Sequence, residues 1–218
     1  KEEGWVQDED TLDTWFSSGT WTFSTLGWPN QPQDMKDFYP TAWMQMGYEI
    51  LFFWMARMIL ITTYALEEIP FKQVYIHGML RDKDGRKFSK SLGNGRDPIE
   101  VIVEFGADAL RLSMTKGMSA GNDGRFYEEK VVGARNFVNK LWNISRYILM
   151  TNEAKLVETQ PDLKTEADKW IIANLNRTIE TATKEMYGCS FSQASETLYE
   201  FTWNQFADWY LQIAQVEG

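Results

Sequence analysis

The sequence predicts an α/β fold over its first half and an all-α fold over its second. Three observations carry that expectation. Between Thr41 and Ile76 a strand-like run, a glycine, a long apolar helix and a second strand-like run follow one another. That is the order of a βαβ unit, the building block of a doubly wound parallel sheet. From Gly117 to Gly124 the chain becomes polar and glycine-rich, the composition of a link. Beyond the link, apolar residues recur at helical spacing. The expected division is residues 1–117 as α/β and residues 118–218 as helical.

The 218 residues suffice for one domain, or for one and part of another. A chain that is 44% hydrophobic and 15% aromatic, with ten tryptophans, has the material for a packed core. The formal net charge of −9 argues against indiscriminate binding to nucleic-acid backbone, which leaves any RNA contact to local basic patches. Cys189 and His77 are each the only residue of their kind. An intrachain disulfide is therefore ruled out, no structural metal is expected, and a reducing cytoplasm is the natural setting. The run Ile50 to Ile61 is short for a bilayer and is interrupted by Arg57, so it reads as a buried helix, and no membrane partner is expected. Lys1-Glu2-Glu3-Gly4 has neither an initiator methionine nor a signal-peptide pattern, and reads as the start of an excised piece.

Taken in order, Thr11 to Ser18 leads into an aromatic loop with Trp21, Phe23 and Trp28, a composition that suits core packing. Thr41 to Met46 is the first strand, and Gly47 ends it. Glu49 to Leu66 is a helix apolar almost all round, as for one buried between layers. Val74-Tyr75-Ile76 is the second strand. Ligands of such sheets sit beyond the carboxyl ends of the strands, here Gly47-Tyr48-Glu49 and His77-Gly78. Asp97, Pro98 and Glu100 form the N-cap, first position and capping-box partner of a short helix that Gly106 ends. Ala107 to Lys116 is another helix.

In the second half, Val131, Ala134, Val138 and Leu141 begin one helical stripe. After a break at Pro161, the residues Ile171, Leu175, Ile179, Ala182 and Met186 make the next, closed by Gly188. The last helix runs from about Ser190 to Val216. Tyr199, Trp203, Phe206, Tyr210 and Ile213 lie on one stripe, and Phe191, Ala194, Leu198 and Phe201 on another. Two apolar faces require partners on two sides, so self-association through exposed helices is expected.

The chemistry concentrates between His77 and Asn94. Asp82-Lys83-Asp84-Gly85 is a turn signature. Lys87-Phe88-Ser89-Lys90-Ser91 follows, with two ammonium groups and two hydroxyls, and Gly93-Asn94-Gly95 closes the stretch. Two readings fit these residues. One is a solvated surface hairpin. The other is a polyphosphate cradle, in which lysines supply point charge, serines supply oriented donors and glycines let backbone approach the anion.

His-Gly, an acidic turn, Lys-Phe-Ser-Lys-Ser, Gly-Asn and Asp-Pro, in this order, closely resemble the KMSKS signature of class I aminoacyl-tRNA synthetases. The subgroup activating valine, isoleucine and leucine is the nearest match. Leu12-Asp13-Thr14-Trp15-Phe16-Ser17-Ser18, with Phe23 to Pro29 downstream, is similar to the segment that follows the editing insertion in the valyl-tRNA synthetases. Phe206 to Leu211 resembles their anticodon-binding helical domain. Two departures stand in the signature: Phe88 replaces the usual methionine, and Gly95-Arg96 replaces an aliphatic pair. A third is Glu49, where aspartate is usual.

The resemblance implies the second half of a Rossmann-like nucleotide-binding sheet, then a truncated helical bundle. It implies ATP-dependent activation of valine and its transfer to tRNA-Val by the full-length enzyme, with Mg2+ accompanying ATP. By the same resemblance Lys87 and Lys90 are the catalytic cations, and Ser89 and Ser91 orient the phosphates. Gly47, Glu49, His77 and Gly78 border ATP, and Trp15, Ile50 and Trp54 wall the amino-acid pocket. An isoleucine-specific sibling typically has a polar residue at the Ile50 position. Other roles stay open for several of these: a helix-N-terminal carboxylate for Glu49, a packed histidine for His77, and ordinary core for the three pocket residues. The family's second signature, His-Ile-Gly-His, has no match here, so the piece is expected to be inactive alone. A non-catalytic folded fragment with residual ligand or tRNA binding, or an isoleucyl or leucyl sibling, are the alternatives.

Overall fold

The computed structural model describes residues 4, 6–89, 91–151 and 162–217. They fall into two compact units, Lys1–His77 and Gly78–Gly218.

In the first unit, helix α1 spans Thr14–Ser24 and opens where the Asp13 carboxylate accepts from the Trp15 N–H at 2.7 Å. A short helix α2, Gln33–Phe38, precedes strand β1, Met44–Gly47; strand β2 is Val74–His77. β1 and β2 pair in parallel from Met44 opposite Val74 to Gly47 opposite His77, so the two strands end level. The first strand thus starts later than the sequence suggests and takes in Gly47, with Thr41 joined to Phe71 by an isolated parallel bridge.

The connection between the strands is helical, as expected, but not a uniform α-helix. A 3₁₀ turn, Tyr48–Ile50, passes into a π-helix, Leu51–Ala56, and then into α3, Arg57–Leu66. Nor is it buried all round. Met55, Met58 and Thr62 are buried, while Phe52, Leu60 and Tyr64 are 77%, 69% and 91% exposed. The inner face packs on Met44, Met46 and Phe71, and among the described residues no second layer covers the outer one. By length and composition Tyr48–Leu66 would suit a membrane crossing, which the shorter apolar run read from the sequence would not. Its inner face is nonetheless protein core. Thr62 and Thr22 of α1 share a buried hydroxyl–hydroxyl bond of 3.0 Å, which satisfies two groups that would otherwise be costly to bury.

In the second unit, strand β3, Leu80–Arg81, pairs in parallel with β4, Gly124–Arg125. Helices α4, Pro98–Phe105, α5, Ala107–Thr115, and α6, Glu128–Thr151, share a core of Val101, Ala109, Val131 and Ala134. Asp97 caps α4 by accepting from the Ile99 N–H at 2.8 Å, with Pro98 in the first helical position as the sequence predicts. The glycine-rich stretch after α5 folds back to supply β4.

Helix α7, Glu166–Tyr187, starts at a reciprocal capping box between Thr165 and Asp168. The expected break at Pro161 lies outside the described residues. Gly188 follows α7, but the left-handed residue is Cys189, at φ 57°. The last helical run comprises α8, Phe191–Tyr199, a π-helix, Glu200–Tyr210, and α9, Leu211–Glu217. The π-segment changes which aromatics meet. Phe201 and Phe206, assigned to different stripes at 3.6-residue spacing, stack at 6.2 Å, because π-bonding brings residues five apart together. Tyr199 and Trp203 do share a face and stack beside Phe137 of α6. Ile179 and Met186, expected on the inner stripe of α7, are about half exposed.

Candidate functional site

Within the second unit the signature stretch forms a hairpin followed by a pinned loop. Its turn follows from Asp82-Lys83-Asp84-Gly85. The Gly85 N–H donates to the Asp82 carbonyl at 2.9 Å, and Gly85 takes φ 84°, where a side chain would be strained. The Asp82 N–H donates to the Arg86 carbonyl at 2.9 Å, and an antiparallel bridge joins Arg81 to Lys87.

The Asp82 side chain is buried in the angle of this hairpin. Its Oδ1 accepts from the N–H groups of Asp84 (3.0 Å) and Arg86 (2.8 Å). Its Oδ2 accepts from Arg86 Nε (3.0 Å) and Asn94 Nδ2 (2.8 Å). The bond from Asn94, together with those from Arg86, holds this carboxyl down to about 2 against the opposing effect of burial.

Asn94 carries the hold forward. Its Nδ2 also donates to the Lys87 carbonyl at 3.2 Å, and its Oδ1 accepts from the Ser89 N–H at 2.9 Å. Ser89 and Ser91 bring their hydroxyls within 2.7 Å of each other, and a turn bond runs from the Leu92 N–H to the Ser89 carbonyl. Lys87 is exposed on this anchored backbone. Lys90 lies outside the described residues.

The two departures in the signature have structural roles. Phe88 lies edge-on to Phe126, 6.4 Å between centroids, and lines an apolar cavity of about 480 Å³ with Leu80, Pro98, Val101, Leu110 and Met114. Arg96 forms ion pairs with Glu104 and Glu128 and lays its guanidinium over Phe105. Gly78 precedes the hairpin and is buried. A Cβ there would run into the backbone of Asn122 and lie 2.6 Å from the Asp123 nitrogen. The Met79 N–H donates to Asp123 Oδ1 at 2.8 Å, and Arg81 forms an ion pair with the same carboxylate.

In the first unit, Gly47 and His77 stand side by side at the carboxyl ends of β1 and β2. Glu49 is exposed in the 3₁₀ turn, and its carboxylate folds back over the Gly47 Cα, where any Cβ would collide with it. Ile50 and Trp54 both pack on the core of Met44, Met46, Met55, Met58 and Phe71. The Trp54 Nε1–H donates to the Ser18 carbonyl at 3.1 Å, and its ring stacks on Trp21. Trp15 stacks instead on Phe53, 6.2 Å away, beneath the Arg57 guanidinium. Asp123 has no signal in the sequence, while Asn94 and Gly124 take up partners that their places in the loop and the link do not announce. The signal for Asn94 was its place between two glycines, and for Asp82 its place three residues before Gly85.

The low carboxyl of Asp82 has a testable consequence. A carboxyl held below its ordinary value adds stability that is complete above about pH 4 and is lost as pH falls through about 2. Protection of the Arg86 amide against hydrogen exchange, corrected for intrinsic rate, is expected to drop across that window. Protection that stays level there would show that ionised Asp82 does not hold the hairpin.

Residues 1–126 match the family model described as tRNA synthetases class I (I, L, M and V). The chain belongs to this family. Residues 168–218 match the anticodon-binding domain of tRNA ligase. Among curated relatives, the valine–tRNA ligase of Clostridium tetani is 51% identical over 98% of this chain and 24% of its own length. That of Bacillus cereus is 50% identical over 98% of this chain and 25% of its own. The chain therefore spans about a quarter of the length of the curated relatives it matches. Two solved synthetases share the fold. The Agrobacterium radiobacter K84 agnB2 LeuRS, in ternary complex with tRNA and LeuAMS, aligns with TM-score 0.78 at 24% identity over 90% of this chain and 26% of that one. The Mycobacterium tuberculosis methionyl-tRNA synthetase bound by methionyl-adenylate aligns with TM-score 0.77 at 22% identity over 92% and 40%. A class I synthetase fold, with short parallel strands followed by a helical region, accounts for both units.

Proposed function

We propose that these residues are part of a valine–tRNA ligase, a cytoplasmic enzyme that activates valine with ATP and transfers it to tRNA-Val. The observation that carries this reading is the backbone anchored at Lys87 and Ser89, within a chain about half identical to valine–tRNA ligases along 98% of its length. In the reaction the valine carboxylate attacks the α-phosphorus of ATP, which enters with its Mg2+, and pyrophosphate leaves. Lys87 and Lys90 neutralise charge on the phosphates as the transition state forms, and Ser89 and Ser91 orient them. Gly47, Glu49, His77 and Gly78 border ATP, while Trp15, Ile50 and Trp54 wall the amino-acid pocket.

Residues 1–117 carry the catalytic part and residues 118–218 begin the anticodon-binding part. Catalysis belongs to the full-length ligase rather than to this stretch by itself, since its single histidine, His77, cannot supply the family's histidine signature. The exposed Ile179, Met186 and Trp209 would meet further helices of the same domain or, in the isolated piece, a second copy.

Amino-acid-dependent exchange of pyrophosphate into ATP tests the reading. The full-length ligase is expected to prefer valine over isoleucine by roughly tenfold or more, because one added methylene overfills a rigid apolar pocket. Equal rates with isoleucine, or no exchange with valine, would overturn it.

A further inference from the structure

We propose that Asp82 and Asn94 are the positioning residues of the lysine loop, acting as one latch; this rests on the reading of that loop as the phosphate-binding element. The chemistry leaves one orientation for the Asn94 amide. Ionised Asp82 only accepts hydrogen bonds, so the NH2 end of Asn94 must face it and the carbonyl end must face the Ser89 N–H. The same NH2 group reaches the Lys87 carbonyl. One side chain therefore grips the backbone on both sides of Phe88, at Lys87 and at Ser89. Asp82 fixes which way round it does so, and Asp82 is itself held by Arg86 and by two hairpin N–H groups. Neither latch residue needs to touch a phosphate. Their effect is to set where the Lys87 ammonium and the Ser89 donors begin, and about an ångström of misplacement can cost on the order of a hundredfold in rate.

The test is a pair of variants of the full-length ligase. Asn94→Ala removes both grips, and kcat for valine-dependent pyrophosphate exchange is expected to fall by about a hundredfold. The KM for valine should stay near its parent value. Asn94→Asp keeps the shape but sets a carboxylate against Asp82; the two repel while both are ionised, which raises the pH at which the pair takes up one proton. The shared proton restores the link to Asp82, though not the second donor to the Lys87 carbonyl, so the kcat of Asn94→Asp relative to the parent should climb part of the way back as pH falls from about 8 to about 5. The same ratio for Asn94→Ala should stay level. The charged and titratable groups near the pair are Lys83, Asp84 and Arg86 of the hairpin, Lys87, Arg96, Tyr127, and Glu128 and Glu129 from α6. All of them are common to parent and variants, so the ratio cancels their titration.

Hydrogen exchange at the Ser89 amide gives a second readout independent of activity. It should be faster in Asn94→Ala than in the parent, and slow again in Asn94→Asp at the acid end. Unchanged kcat in Asn94→Ala, a pH-independent ratio for Asn94→Asp, or unchanged Ser89 exchange would overturn the latch. A parent enzyme that does not exchange pyrophosphate with valine would overturn the proposed function instead, and Ser89 exchange would still decide the latch.

Discussion

Replacing Lys87 by alanine in the full-length ligase is expected to lower kcat for valine-dependent pyrophosphate exchange by about 10²- to 10³-fold, the usual effect of deleting one preorganised group that meets developing charge. The structure makes this a clean substitution. Lys87 is tied to the loop through its backbone, by the bridge to Arg81 and by the carbonyl that accepts from Asn94. Its side chain is exposed and takes no part in the core. Alanine therefore removes the ammonium and leaves the backbone where it was. An interaction made mainly in the transition state shows itself as an equal fall in kcat and kcat/KM. Lys87→Arg keeps the charge but spreads it over a planar group with fixed donors, so partial recovery is expected. A Lys87→Ala enzyme within threefold or so of the parent would mean that this cation does not serve the phosphates.

Much of this arrangement was legible in the sequence, and the reasons are local. Asp97-Pro98 caps α4 because a short acceptor followed by a residue without an N–H suits a helix start and little else. The parallel pairing of β1 and β2 follows from the βαβ order, since a helical crossover brings the second strand back in the direction of the first. The Asp82–Gly85 turn was readable from Gly85 alone. What was not legible depends on partners distant in sequence or on backbone states that spacing does not encode. Ile50 and Trp54 fall within the helix that the sequence predicts from Glu49 to Leu66, where residues four apart share a face. They reach the same core from a 3₁₀ turn and a π-helix, where that spacing rule does not apply. The exposed outer face of α3 was read as buried because composition cannot say whether a second layer is at hand. Asn94 stands in the sequence only as the residue between two loop-closing glycines, since its hold on the loop depends on a carboxylate twelve residues upstream.

The last expectation concerns Gly78, where the need for glycine is steric rather than conformational. The space that a Cβ would occupy is already filled by the Asn122 carbonyl group and, at 2.6 Å, by the Asp123 nitrogen. Backbone atoms cannot swing aside as the end of a side chain would, so Gly78→Ala must push the 122–125 segment off the hairpin. Besides the Arg81–Asp123 ion pair, three hydrogen bonds among the described residues hold that segment: the Gly124 N–H to the Met79 carbonyl at 2.9 Å, the Phe126 N–H to the Arg81 carbonyl at 2.8 Å, and the Met79 N–H to Asp123 Oδ1 at 2.8 Å. At about 1 kcal/mol each, their loss would raise the opening equilibrium of the segment by roughly 150-fold. The Gly124 and Phe126 amides should therefore exchange with solvent on the order of a hundred times faster in Gly78→Ala, while the Val131 amide in α6 should change far less, because segments open in separate cooperative units. Equal acceleration at Val131 would mean that the whole unit had loosened, and no acceleration at Gly124 would mean that the chain finds room for the methyl group without parting the strands.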